Sequence, residues 1–129
     1  MDKIINEEIA NKVEDLLHKF IDESGATYAL LTDMGGNLLF NVGNEDYDVD
    51  TLAVLSAANY STTNEIANLI NEDNFSLLFH RGDNENIHFA KISADVLMIV
   101  LFKPYLSLGL LRLKIANLQT EINKLIGSC

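Results

Sequence analysis

The side chains able to do chemistry are few and scattered. There are three histidines, His18, His80 and His88. His18 falls near the end of an amphipathic segment, where it can favour the negative end of a helix dipole. His80 and His88 belong to two apolar stretches that flank the polar run 81–86. On neighbouring strands they could face one another and, with Asp83 or Glu85, approach a metal. A zinc site takes four ligands, or three and a water, and this spacing places no third ligand. The expectation is no metal and no cofactor, with both histidines as polar strand-end residues.

Nucleophiles fare no better. Cys129 is the sole cysteine and the last residue, a poor place for a positioned thiolate. It cannot staple the domain internally, which suits a reducing compartment, and a prenylation box would need it fourth from the end. No phosphate-cradling loop, dinucleotide fingerprint or nucleophile elbow occurs. Gly35-Gly36 is an isolated pair between two strand-like runs, so it reads as a turn. Arg81-Gly82-Asp83 spells an adhesion tripeptide, yet Asn84, Glu85 and Asn86 follow it, and turn chemistry accounts for the run. Asn59-Tyr60-Ser61 and Asn74-Phe75-Ser76 match glycosylation acceptors, which matter only in a secreted chain. The acidic stretch Glu45, Asp46, Asp48 and Asp50 lacks calcium-hand spacing and reads as a solvated, helix-capping loop. No catalytic residue is assigned, and the chain is not expected to be an enzyme.

Charge narrows the partners. Nineteen acidic and nine basic residues give a net charge of −10. Nucleic-acid binding draws most of its affinity from phosphate contacts with basic patches, and no such patch is present. Anionic membrane surfaces are disfavoured for the same reason. The uninterrupted apolar run Val96–Phe102 is too short to span a bilayer as a helix. The opening MDKIINEEIANK lacks the apolar core of a signal peptide, so a cytoplasmic location is expected. A length of 129 residues fits one domain, 1–129.

The elements follow from periodicity. Ile5, Ile9, Val13, Leu16, Leu17 and Phe20 recur at helical spacing, with Asp2 as a plausible N-cap and Ser24-Gly25 as the stop. A hairpin runs over 26–33 and 38–42 around Asp33–Asn37. A second helix starts near Asp48 or Asp50 and runs to about Asn71. It carries a stripe of larger residues (Leu52, Leu55, Thr62, Ile66, Leu69, Ile70) and another of small ones (Ala53, Ala57, Tyr60, Asn64, Ala67). One face can meet a sheet while the other meets something else. Strands follow at Phe75–His80, Ile87–Ile92 and Val96–Phe102. The last lacks polar alternation, as a central strand covered on both faces would. Ser107 caps a final helix whose apolar positions, Leu108, Leu111, Ile115, Leu118, Ile122 and Leu125, form a heptad seam. Leu106, Leu110 and Leu113 add apolar surface at its start, as if that end were buried from several sides. This order, helix, two strands, helix, three strands, helix, predicts an α+β fold with one five-stranded antiparallel sheet between helical layers.

Two stretches carry a resemblance. ALLTDMGGNLLFNVG, Ala29 to Gly43, looks like the first hairpin of the Roadblock family, the dynein light-chain Roadblock type. SLGLLRLKI, Ser107 to Ile115, looks like that family's approach to its last helix. With the element order, the chain resembles the bacterial and archaeal MglB-like members in particular, over nearly its whole length. The resemblance implies strand order 2-1-5-4-3 with helices on both faces. It implies a homodimer through the second helix and the edge strand Phe75–His80, and no catalytic triad or cofactor. MglB-like members bind small Ras-like GTPases and promote their hydrolysis, while others scaffold dynein or lysosomal signalling complexes.

The residues support part of this directly. An exposed edge strand must be covered, charged or paired. Phe75, Leu77, Leu78 and Phe79 give this one apolar side chains on both faces. Pairing with a twofold copy would satisfy it, and the small-residue stripe could meet its own copy in the same dimer. The expected interface is therefore Ala53, Ala57, Tyr60, Asn64, Phe75, Leu77 and Phe79. The expected function is a homodimeric adaptor or regulator of a small Ras-like GTPase. The alternatives are a scaffold dimer without effect on hydrolysis, and a PAS- or GAF-like sensor, which would need an internal pocket with polar anchors.

Overall fold

The structure, a computed structural model, describes residues 6–43, 46–73, 75 and 78–126. Expectations placed on Asp2, Ile5, Glu45, Asn74, Ser76, Leu77 and Cys129 lie outside the described residues.

Helix α1 spans Glu7–Ser24. Its cap is Asn6, whose side chain accepts a hydrogen bond from the Ile9 amide at 2.8 Å. Asn6 holds the Ncap position that the sequence reading gave to Asp2. Gly25 ends the helix in the left-handed region at φ 77°, a conformation open to glycine without a Cβ penalty. Strands β1 (Tyr28–Asp33) and β2 (Leu38–Gly43) form the first hairpin. The Asp33 carboxylate organises its turn, accepting from the Gly35 and Asn37 amides and from Asn37 Nδ2 at 2.9–3.0 Å. Helix α2 spans Val49–Leu69 behind an Asp48 cap. Then come β3 (Leu78–His80), β4 (Asn86–Lys91), β5 (Val96–Phe102) and helix α3 (Leu108–Leu125), capped by Ser107.

The five strands are antiparallel in the order β2-β1-β5-β4-β3. Element order and sheet order are those expected. Every residue of β5 is buried, which is why its sequence needs no alternation. Side chains of β1 and β5 alternate between two cores. Ala29, Leu31, Met98, Val100 and Phe102 face α1 and α3, together with Val13, Leu17, Leu111 and Ile115. Tyr28, Leu30, Leu97, Ile99 and Leu101 face the opposite way, where Leu52 and Tyr60 of α2 pack on them. Among the described residues, two helices thus cover one face and α2 covers the other.

Three local expectations change. Phe75 is not in strand, and β3 is described over Leu78–His80, the expected strand residues Ser76 and Leu77 lying outside the described residues. At the start of α3, Leu110 and Leu113 are exposed, as is Tyr105 just before it; that end is covered from one side only. The third change concerns α2. Ala53 and Ala67 are fully buried and Ala57 nearly so, whereas Leu55, Ile66 and Leu69 point outward. Small side chains let the helix axis settle close to the sheet and to the first hairpin. A Cβ on Gly36, itself at φ 92°, would come within 2.9 Å of the Val54 Cα. The small stripe is the inner one, joined there by Leu52, while Leu55, Ile66, Leu69 and Ile70 of the large stripe stay exposed among the described residues.

Candidate interaction surface

The outward side of α2 is a ridge. Leu55, Thr62, Ile66 and Leu69 follow at spacings of seven, four and three, which keeps them on one helix face. Leu55 is 63% exposed, Ile66 49% and Leu69 82%. Val54 and Ile70 lie exposed beside them. Single exposed leucines are ordinary, but a contiguous apolar stripe on a surface helix marks a contact site.

The ridge is continuous with the sheet edge. Asn59 of α2 hydrogen-bonds the His80 Nε2 on β3 at 3.0 Å, and Tyr60 and Leu78 pack on the same core. Tyr60 and Asn64 are half-buried between ridge and sheet. Phe75 is exposed. Phe79 points to the other face, stacks on Phe102 at 6.0 Å and carries Arg81 over its ring. Of the residues predicted for the interface, Ala53 and Ala57 are closed off by their own sheet. Tyr60 and Asn64 lie on the side of α2 turned from the ridge. The expected interface left out Leu55, Ile66 and Leu69, the exposed large apolar residues of α2. The available signal was that the small stripe is the one able to approach a sheet closely.

The chemical candidates do not converge. Phe79 pairs with His88, and His80 pairs with Ile87, so the two imidazoles lie on opposite faces of the sheet. Among the described residues no cluster of three or more His, Cys, Asp or Glu could hold a metal. Buried His88 has Nδ1 3.1 Å from the Leu78 carbonyl, so that nitrogen carries the ring proton and donates. Burial pushes its pKa below the ordinary value, and Arg112 adds to the effect against the Leu78 hydrogen bond. Asp33 is held below the usual carboxylate range mainly by the Asn37 side-chain hydrogen bond, and Asp48 by the Thr51 hydroxyl and amide. Both are turn or cap carboxylates. Glu85 is tied by Lys103 at 2.9 Å and lies 3.5 Å from the Tyr47 hydroxyl. Tyr47 packs edge-on against Tyr28, so this cluster ties the residue before the Asp48 cap to β1.

The sequence matches the family model for the Roadblock/LC7 domain over residues 12–102. The chain belongs to the Roadblock/LC7 family. Among solved structures, the gliding protein MglB of Thermus thermophilus superposes with a TM-score of 0.87 at 23% identity, covering 99% of this chain and 98% of that one. Myxococcus xanthus MglB gives 0.85 at 28% identity, covering 92% and 97%. A structure described as MglB with tetrameric arrangement gives 0.87 at 23%, covering 97% and 95%. No curated protein sequence matches. This Roadblock domain therefore shares its fold with the MglB proteins.

Proposed function

We propose that the chain is a non-enzymatic homodimer that binds a small Ras-like GTPase and promotes its GTP hydrolysis by positioning the GTPase's own switch loops. The observation that carries this reading is the apolar ridge of α2, continuous with β3, on a Roadblock domain similar to Myxococcus xanthus MglB over nearly its full length. The proposed self-complementary surface is Leu55, Thr62, Ile66 and Leu69. Tyr60 and Asn64, on the inner side of α2, would stiffen it from the sheet side, Phe75 is an exposed apolar side chain before β3, and the β3 edge, with Phe79, is linked to α2 through Asn59 and His80. Leu77 is included by its place in the sequence just before β3. The small-residue neighbours Ala53 and Ala57 support the surface from beneath. Twofold pairing would cover the ridge and extend the sheet at once.

Arg81 lies over Phe79 and Arg112 flanks β4, and neither is assigned as a catalytic finger. The proposal takes the chain as one domain over 1–129, acting in the cytoplasm without nucleic acid. No helix among the described residues is long and apolar enough to cross a membrane.

The test is phosphate release from candidate Ras-like GTPases with and without the protein. The expected result is faster hydrolysis that is lost with Ile66→Glu/Leu69→Glu. A stable complex with unchanged hydrolysis would replace this reading by a scaffold dimer, and no complex with any of them would remove the GTPase from it.

A further inference from the structure

The sheet has two edges. One is β3, which belongs to the dimer reading above, and the other is β2. Strand β2 pairs with β1, and among the described residues no strand pairs with its outer side. Native sheets blunt such an edge with lysines, proline, bulges or a covering segment. The six residues Leu38–Gly43 contain no charged side chain and no proline. One bulge is present. Leu31 pairs with Phe40 and Thr32 with Leu38, which leaves Leu39 over beside the turn. Beyond it, Phe40–Gly43 stays in regular register with Tyr28–Leu31. Alternate backbone N–H and C=O groups of that stretch therefore point outward without a partner strand.

The charge around this edge has one sign. No lysine or arginine occurs anywhere between Lys19 and Arg81. The turn before β2 starts at Asp33, and Asp46 and Asp48 follow the strand's end. Hydrogen bonds from the Asn37 side chain to Asp33, and from Thr51 to Asp48, hold both below the usual carboxylate range. Both stay ionised at neutral pH. Helix α1 packs on β2. Its lysines, Lys12 and Lys19, line the groove shared with α3. Helix α3 lies toward β4, where Gln119 donates to the Ile92 carbonyl at 3.1 Å. Glu7 and Glu14 share the opposite flank of α1, on the β2 side, and both are exposed. Carboxylates thus border the edge at both ends and along α1.

We propose that the outer edge of β2 takes up an extended, positively charged segment of a partner protein as a sixth strand. Main chain meets main chain, and lysine or arginine side chains of the segment meet Glu14 and the carboxylates at the strand's ends. The unpaired backbone supplies the bonding pattern, and the charge selects which segments use it. Strand β2 lies at the far end of the sheet from β3, so the inference stands whether or not the chain dimerises there.

The probe is a blocked hexapeptide of alternating lysine and valine, added to the isotope-labelled full chain and followed by NMR. The expected result is saturable amide shifts centred on β2, with slowed hydrogen exchange at alternate residues of Phe40–Gly43. Only one alternate set of the peptide's backbone nitrogens faces β2. Methylating that set should weaken binding about tenfold or more, as for losing several backbone hydrogen bonds, while methylating the other set is tolerated. The same peptide with glutamate for lysine should not bind. Glu7→Gln/Glu14→Gln should weaken the lysine peptide about two- to fivefold, as for exposed charge pairs, with circular dichroism unchanged. The proposal is overturned if β2 amides stay unmoved up to about 10 mM peptide, or if the glutamate peptide shifts them equally. It is equally overturned if both methylated sets bind like the parent, or if the double variant binds like the wild type.

Discussion

Ile99 has no accessible surface and sits in the middle of β5, where it pairs with Leu30 and Phe89 across both neighbouring strands. A carboxylate there would have no partner. Ile99→Asp should cost several kcal/mol, comparable with about 5–15 kcal/mol of total domain stability. The expected outcome is an unfolded or insoluble chain by circular dichroism, and an unchanged melting temperature would contradict the central position. His88 gives a subtler test. Its folded-state pKa lies below the ordinary 6.5, chiefly through burial. Above that value both folded and unfolded chains hold it neutral. As pH falls through it, the unfolded chain takes up a proton that the fold resists, so stability declines until the folded imidazole also protonates. His88→Asn keeps an N–H donor near Nδ1 and removes the titration. Its melting temperature should therefore fall less than that of the wild type between about pH 7.5 and 5. Equal slopes would show that burial does not disfavour the charged ring. These two residues also mark how far single positions could be read. The burial of Ile99 was legible from an apolar run without alternation. That of His88 was not, because its face depends on a register that places His80 opposite Ile87, and the turn between the strands does not announce that register.

At the scale of elements, caps and turns were largely legible because they rest on local chemistry. Asp48, Ser107, Gly25 and the Asp33–Asn37 turn all act within a few residues of themselves. Which face of α2 turns inward was not legible, because two apolar stripes on one helix leave the choice to tertiary packing. The close approach at Gly36 decides it. Gly36→Ala would add a Cβ against the Val54 backbone at a positive φ, and strain of this kind costs about 1–3 kcal/mol. A lowered melting temperature is expected, with α2 and the hairpin affected together in hydrogen exchange. Gly35→Ala, where a Cβ meets only side-chain atoms at 3.5 Å or more, should cost less. Equal effects would argue against the close approach. The same packing changes the meaning of a charge at Ala57. With 4% of its surface accessible, Ala57→Glu would drive a carboxylate into the sheet and unfold the domain. It would not release a folded monomer.

For the whole molecule, the question is what covers the ridge of α2. The element order was legible from periodicity and turn chemistry, and the sheet order followed from the resemblance that this order and the two quoted stretches carry. Which apolar stripe of α2 stays exposed was not legible, because a sequence shows such stripes without showing which of them the fold consumes. A twofold contact through Leu55, Thr62, Ile66 and Leu69 would set each ridge against its copy, so charges introduced on both chains would be desolvated in one contact without partners. Ile66→Glu/Leu69→Glu should cost association about 2–5 kcal/mol, or more than tenfold in dissociation constant. It should leave circular dichroism and melting of the isolated domain intact, because both side chains already face water. Leu113→Glu is the matched control. It is 60% exposed but lies on α3, in the helical layer on the other face of the sheet. Sedimentation at tens of micromolar (roughly the range where a specific interface persists) should show a dimer for the wild type and for Leu113→Glu, and a folded monomer for the ridge variant. A monomeric wild type would remove the dimer. A monomer produced by Leu113→Glu alone would move the contact to the α1–α3 layer, leaving the ridge of α2 for a different protein.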